Sequence, residues 1–451
     1  MINNNGVLMI FFCLILFSIS NAFSQGLNLL GAVEGLDIEP PVGIPLAGYG
    51  SKERRLPSFY DWRSQHSESS LFKPSEGYHS PIRSKVIVLK KGDEFIVFIS
   101  LDTIGVETRF VKEVAKKLAP YGIKEKNIIM SATHTHGGPG TLSKRVPLML
   151  VAVDFYKERN YQHVLKKVVS SVEGALSKLE PVSLHKTIAE IEGVQENKWR
   201  KKDENHFDNR ATFIFLKSLI KDHYLGGLIS FSIHGGTMPV GLMQYSSDVN
   251  GAIEKRIEDY FQTKNFPFQD KVTFLFMNGA EGDVGGALER SVESVEKLAD
   301  QFLESSIPSL EAKYQDLSMD IRTEKRRVFV GIPALPLNCQ SGLGSLPSWF
   351  KVPIAPLLPM QSDISYANVG GVSILTWPGE PSTQLGFDLQ NLAKKYGFNE
   401  SLVFGLTNDY MTYFTTKAEY KEKAYDSCSS FYGWRGGNRI LKAHERLLQS
   451  L

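Results

Sequence analysis

Short apolar runs separated by turn residues recur along the chain. Residues 86–89 and 95–100 are almost wholly Val, Ile, Leu and Phe, and they flank Lys90-Lys-Gly-Asp-Glu94. That pattern predicts two strands joined by a glycine-containing turn. Further runs at 127–133, 212–216, 227–233, 272–277, 372–377 and 402–406 read as strands, while apolar positions at helical spacing mark 108–118, 161–179, 249–261, 288–303, 383–395 and 417–429. Residues 436–451 read as one amphipathic helix. The alternation predicts an α/β fold with a mixed central sheet and flanking helices.

Polar residues stand at the ends of these strands: His134 and His136 after one, then His234, Asp283, Glu380 and Tyr413 after others. In open α/β sheets ligands bind in the crevice beyond the carboxyl ends of strands, so these separated segments are expected to meet in one metal site there.

Composition narrows the alternatives. Of 451 residues, 42% are hydrophobic and 22% charged, an ordinary globular balance that excludes a disordered chain. The 51 basic and 49 acidic residues are interleaved, leaving no stripe to neutralise phosphates, which argues against a nucleic-acid partner. The apolar run 7–19, followed by Asn21-Ala-Phe-Ser24, reads as a signal peptide over 1–24 ahead of one domain at 25–451, and directs the chain to a secreted or periplasmic compartment. Because Met1-Ile-Asn-Asn-Asn5 carries no Lys or Arg, an uncleaved N-terminal anchor is the alternative. With Cys13 in that segment, Cys339 and Cys428 are left, either as one disulfide or as two buried thiols. The Pro/Gly/Leu-rich stretch 331–360, with Trp349 and Phe350, reads as a surface excursion or a lid. Internal repeats, GxxxxGK[ST], HExxH, GxSxG and CxxC are all absent.

The chemistry rests on a few residues. A His-x-His at a strand end directs both imidazoles to one face, so His134 and His136 can serve together, one on a metal and one beside it. The glycines after them let backbone approach a ligand closely. Each candidate also has an ordinary structural explanation. A lone His234 can simply bond a carbonyl, Glu380 can complement a helix N-terminus, and Asp283 between glycines can form an Asx turn. Asp102, at the end of its strand, has the same two explanations.

Taken in order, the motifs resemble those of the neutral/alkaline non-lysosomal ceramidase family. They are Pro45-Leu-Ala-Gly-Tyr-Gly50, Ser100-Leu-Asp-Thr103, Ser131-Ala-Thr-His-Thr-His-Gly-Gly-Pro-Gly140 and His234-Gly-Gly-Thr-Met238. Then come Ser247-Asp-Val-Asn-Gly251, Gly282-Asp-Val284, Pro378-Gly-Glu380, Gly405-Leu-Thr-Asn-Asp-Tyr-Met-Thr-Tyr413, Thr415-Thr-Lys-Ala-Glu-Tyr420 and the segment 425–433.

The resemblance implies one Zn²⁺ per chain held by His134, His234, Glu380 and Tyr413. It places His136 beside the metal as the proton-handling group, with Asp283 and a hydrogen-bond-donating Tyr413 in the catalytic set and Asp102 behind the ligands. The implied reaction is hydrolysis of the ceramide amide bond to sphingosine and a fatty acid, and a lipid substrate admits peripheral membrane contact. Three departures shape the expectation. The family's Gly-Asp-Val continues with Ser-Pro-Asn, whereas Gly285 stands at the serine position, so metal-activated water rather than a serine nucleophile is expected. The family's substrate-contacting Asn-Arg-Ser-Pro survives only as Asn197-Lys-Trp-Arg200, so Asn197, Arg200 and Gly285 are the expected substrate contacts, and another N-acyl amide or ester, or a lipid-binding homologue without activity, is the alternative. The resemblance is also to a short form, since longer members continue into a β-sandwich domain.

Overall fold

A computed structural model describes residues 28–56, 68–200, 206–265, 271–336, 339, 351–355 and 357–451. The expected signal peptide or anchor, Cys13, and the Trp349-Phe350 portion of the 331–360 stretch lie outside them. Among the described residues, no helix is long and apolar enough to cross a membrane.

The large sheet contains β1 (Leu30–Asp37), β2 (Arg83–Lys91), β3 (Glu94–Leu101), β4 (Ile128–Ala132), β5 (Glu180–Glu190), β6 (Arg210–Ser218), β7 (Tyr224–Phe231) and β8 (Thr273–Asn278). Their spatial order is β8-β7-β6-β5-β1-β2-β3-β4, and a short strand, Gln315–Asp316, pairs with β5. The outermost pairs, β7 with β8 and β3 with β4, are parallel, and the pairs between them are antiparallel. A smaller mixed sheet holds β9 (Ile321–Phe329), β10 (Gln361–Val369), β11 (Val372–Thr376) and β12 (Ser401–Phe404) in that order.

Side chains alternate across a strand, and here both faces are apolar. Ile87, Ile96, Phe98, Ile129, Leu228 and Leu275 point into one core shared with Val372, Ile374 and Phe404 of the small sheet. The intervening residues point the other way, Val86, Val97 and Met130 towards the helices Thr108–Leu118 and Glu158–Leu176, and Phe213, Ile229 and Phe274 towards Asp248–Lys264 and Val292–Glu311. Each such Leu, Ile or Phe contributes about 1.5–3 kcal/mol by leaving water. The sheet curls so that its edges meet, and Ser100 Oγ on β3 donates to Phe276 O on β8 at 2.7 Å. That curvature carries the ends of β4, β7, β8 and β11 to one place.

Helices at 108–118 and 383–395 have the expected bounds. The helix expected at 288–303 starts later, at Val292, where the Ser291 hydroxyl caps Ser294 N–H at 2.9 Å, and it runs on to Glu311. The helix expected at 417–429 is two, Lys417–Glu422 and Tyr425–Cys428, because Lys423 turns left-handed with φ +55°. Strands β1, β5, β9 and β10 carry no continuous apolar run. In β9 only Ile321, Thr323 and Val328 are buried, separated by charged residues.

Cys339 and Cys428 form a disulfide, with Cα atoms 5.6 Å apart, which decides between one bridge and two thiols. It closes a loop of 89 residues, so a Cys339→Ser/Cys428→Ser double variant should lose about 2–4 kcal/mol of stability. Urea unfolding checks this, and an unchanged midpoint would refute it.

Candidate metal centre

The chain leaves β4 through Thr133, whose N–H donates to Leu101 O, and His134, whose N–H donates to Thr103 O. His134 has φ +67°, a left-handed conformation that costs a non-glycine residue on the order of 1–3 kcal/mol. The strain turns the imidazole inward. Its Nδ1 lies 2.6 Å from Ile104 O, which orients the ring and leaves Nε2 facing Glu380 Oε2 at 3.3 Å.

His136 is buried, with Nδ1 bonded to His134 O at 3.2 Å and Gly235 O at 3.1 Å, so its Nε2 is the atom free for chemistry. Tyr49 packs on its ring with centroids 4.3 Å apart. A side chain at Gly48 would put Cβ 2.3 Å from His136 Cδ2, so the Pro45–Gly50 motif needs glycine where it passes the ring. His234 comes after β7 and is tethered by its N–H to Val284 O. Its Nδ1 lies 3.4 Å from Glu281 Oε2 and 3.7 Å from Glu380 Oε2. His134, His136 and His234 each offer a ring nitrogen within 4.8 Å of the others.

Electrostatics suit metal ligation. Burial, with His134 nearby, pulls His234 down to about 3, and burial beside the other imidazoles and Arg54 holds His136 well below the usual range. Both rings are therefore neutral at pH 7. Burial raises Glu380, but His134, His234 and the Tyr410 hydroxyl outweigh it and hold the carboxylate below its ordinary value. Its Oε1 accepts from Tyr410 OH at 2.8 Å, while Oε2 has no hydrogen-bond partner among the described residues. Burial and Glu380 push the Tyr413 hydroxyl well above its usual value, so it stays protonated. A buried carboxylate oxygen among imidazole nitrogens is a donor set that suits a divalent cation, and the residues fit zinc.

Tyr413 pairs with Glu380 in a short parallel bridge and lines a cavity of about 450 Å³ together with Tyr49, His136, His234 and Gly285. The structure thus gathers His134, His136, His234, Glu380 and Tyr413. Asp102 lies behind them, accepting from Thr133 Oγ1 at 3.0 Å, Arg83 N at 2.8 Å and Lys85 Nζ at 3.1 Å. Asp283 lines the same cavity and joins Asn197 and Arg200 in an anchor at its wall. Asp283 accepts from Thr383 N and Oγ1, both at 2.8 Å, and from Asn197 Nδ2 at 3.0 Å. Asn197 is saturated by further bonds to His206 O, Trp199 N and Arg200 N. Arg200 hydrogen-bonds Asp426 and lies 3.6 Å from both Glu419 and Asp283. A side chain at Gly285 would meet Lys198 Cε at 2.7 Å, so the lysine stem fills the space beside it.

Two residues absent from the sequence expectations sit in the centre: Tyr410, on Glu380, and Glu281, fully buried beside His234. Glu281 comes just after β8, the same strand-end position that singled out the others. Burial, Glu380 and Asp283 push it well above the usual carboxylate range.

Residues 69–307 match the family described as neutral/alkaline non-lysosomal ceramidase, N-terminal. Neutral ceramidase 2 of Arabidopsis thaliana is 23% identical over 288 residues, 60% of this chain and 36% of that protein. The neutral ceramidase of Pseudomonas aeruginosa is 27% identical over 136 residues, 29% of this chain and 20% of that protein. The matched segments therefore span well under half the length of these relatives. The crystal structure of neutral ceramidase from Pseudomonas aeruginosa shares the fold, with a TM-score of 0.77 at 17% identity, covering 94% of this chain and 75% of that one. A structure of ceramidase complexed with C2 superposes equally well, at TM-score 0.77.

Proposed function

The chain belongs to the neutral/alkaline non-lysosomal ceramidase family, and from that premise we propose that it is a zinc-dependent amidohydrolase that cleaves ceramide to sphingosine and a fatty acid. The observation that carries the reading is the convergence of Glu380 Oε2 with ring nitrogens of His134 and His234, 3.3 and 3.7 Å away, beside the cavity. His134, His234, Glu380 and Tyr413 would hold the ion. Zinc bound there supplies Lewis-acid polarisation of the amide carbonyl and lowers the pKa of water towards ~7.

The chain's own groups do the rest. Neutral His136, locked by two carbonyls through Nδ1, presents Nε2 to accept a proton from the attacking water and return it to the departing amine nitrogen. Protonated Tyr413 is suited to donate a hydrogen bond to the oxygen that gains charge. Tyr410 holds Glu380, and Asp102 holds Thr133 next to His134. Water supplies the oxygen that becomes the new carboxylate, and no residue is acylated.

The test is zinc content together with hydrolysis of a fluorescent ceramide by the purified chain. Absence of both would sink the proposal. His136→Ala should keep zinc and substrate affinity but lower kcat about 10²–10⁴-fold; an unchanged kcat would remove His136 from proton transfer. A second reading, hydrolysis of another N-acyl amide or ester, is favoured by Asn197 and Arg200, whose polar groups are committed to the anchor. Comparing ceramide with other N-acyl substrates at equal concentration separates the two. The Cys339–Cys428 disulfide supports an extracytoplasmic location, since such bonds persist in oxidising compartments.

A further inference from the structure

Glu281 has no place in the donor set that the family resemblance implies. Its side chain is fully buried, and neither carboxylate oxygen has a hydrogen-bond partner among the described residues. Away from the metal centre, four comparably buried carboxylates among the described residues are compensated. Asp102 has Lys85 and Thr133, Asp283 has Asn197 and Thr383, Glu254 has Lys85 and Phe276 N, and Asp248 accepts from Thr237 N and Met238 N. A buried charge without a partner is among the most unfavourable features a fold can carry.

The backbone fixes Glu281 in this position. Gly282 N–H donates to Pro381 O at 2.9 Å, and a side chain at Gly282 would put Cβ 2.7 Å from Glu380 O, so the loop lies directly on the Glu380 segment. Asp283 then clamps the loop to Thr383. Between these fixed points Glu281 Oε2 comes to 3.4 Å from His234 Nδ1, the same atom that lies 3.7 Å from Glu380 Oε2. His234, Glu281 and Glu380 each offer a ligand atom within 4.8 Å of the other two. Two carboxyl groups converging on one imidazole nitrogen can both be ionised only when a cation sits among them.

We propose that Glu281 is a direct ligand of the metal held by His134, His234 and Glu380, so that the centre carries two carboxylates. The inference rests on the zinc reading and extends it to a residue outside the expected set. Two carboxylates balance the charge of a divalent ion within the protein itself. The ion in turn supplies the partner that the Glu281 carboxylate otherwise lacks.

Zinc affinity of the full chain, stripped of metal and titrated against a chromophoric chelator, tests this in wild type, Glu281→Gln, Glu281→Asp and Glu380→Gln. Glu281→Gln should weaken zinc about tenfold or more, and Glu281→Asp should do so by less. The thermal midpoint of the metal-free Glu281→Gln protein should match or exceed that of metal-free wild type, because the side chain replaced makes no hydrogen bond and no ion pair with a cation in the fold. Zinc affinity within about twofold of wild type, while Glu380→Gln loses the ion, would overturn the assignment of Glu281 and leave the centre standing. A lowered metal-free midpoint in Glu281→Gln would make its role structural and overturn the assignment too. Failure of wild type to bind zinc at all would overturn the underlying zinc reading with it.

Discussion

Glu380→Gln should strip zinc from the protein and lower ceramide hydrolysis by at least about a thousandfold, the equivalent of about 4 kcal/mol of transition-state stabilisation. The substitution is nearly isosteric and can keep the hydrogen bond from Tyr410 OH, so the fold should survive. What it removes is the charge on an oxygen 3.3 Å from His134 Nε2 and 3.7 Å from His234 Nδ1. The ion would lose a carboxylate at the point where both imidazoles converge. Zinc per chain by mass spectrometry and turnover of fluorescent ceramide read the two effects separately. A variant that kept both zinc and activity would show that Glu380 belongs to the helix after it rather than to a metal.

A second large effect lies beneath the site. Lys85→Met should destabilise the protein by about 3–5 kcal/mol. The Lys85 ammonium is fully buried, 3.1 Å from both oxygens of Asp102, and it also hydrogen-bonds Glu254. Burial raises Glu254 to about 7 even with Lys85 and Arg83 opposing it. Removing the ammonium leaves two carboxylates facing each other in the core, and it loosens the Asp102 grip on Thr133 that holds the backbone entering His134. Chemical denaturation should show a lowered midpoint. The double variant Lys85→Met/Glu254→Gln should recover part of the loss, because one of the opposed charges is gone. No recovery would mean that lost packing, not charge, explains the effect.

Whether a residue's part in the fold or the site was legible in the sequence depended on how local that part is. His134, His136 and His234 stood out because an apolar strand runs straight into them and glycines come after. The helices at 108–118 and 383–395 were readable because their apolar stripes are complete. Strand β9 was not, since Arg322, Glu324 and Arg326 interrupt it and only pairing with β10 makes it a strand. The break at Lys423 was hidden for a similar reason, because apolar spacing continues across a residue whose backbone reverses.

Asp283, Asn197 and Arg200 are motif neighbours of the site whose bonds to one another and to Thr383 their spacing in the sequence does not record. Glu281 looked like any acidic residue in a glycine-rich turn, where solvation is the usual fate. Its desolvation comes from Gly282 lying against the Glu380 backbone, a contact between segments about a hundred residues apart, which the spacing of neither segment records. The order of residues thus set the alternating strands and helices, and which side chains leave each strand end, because periodicity and turn chemistry act over a few residues. The curling of the large sheet decided which of those side chains meet and which lose water. Burial, and with it the charge and ligand capacity of Glu281, Glu380 and the three histidines, is a property of contacts across the whole chain.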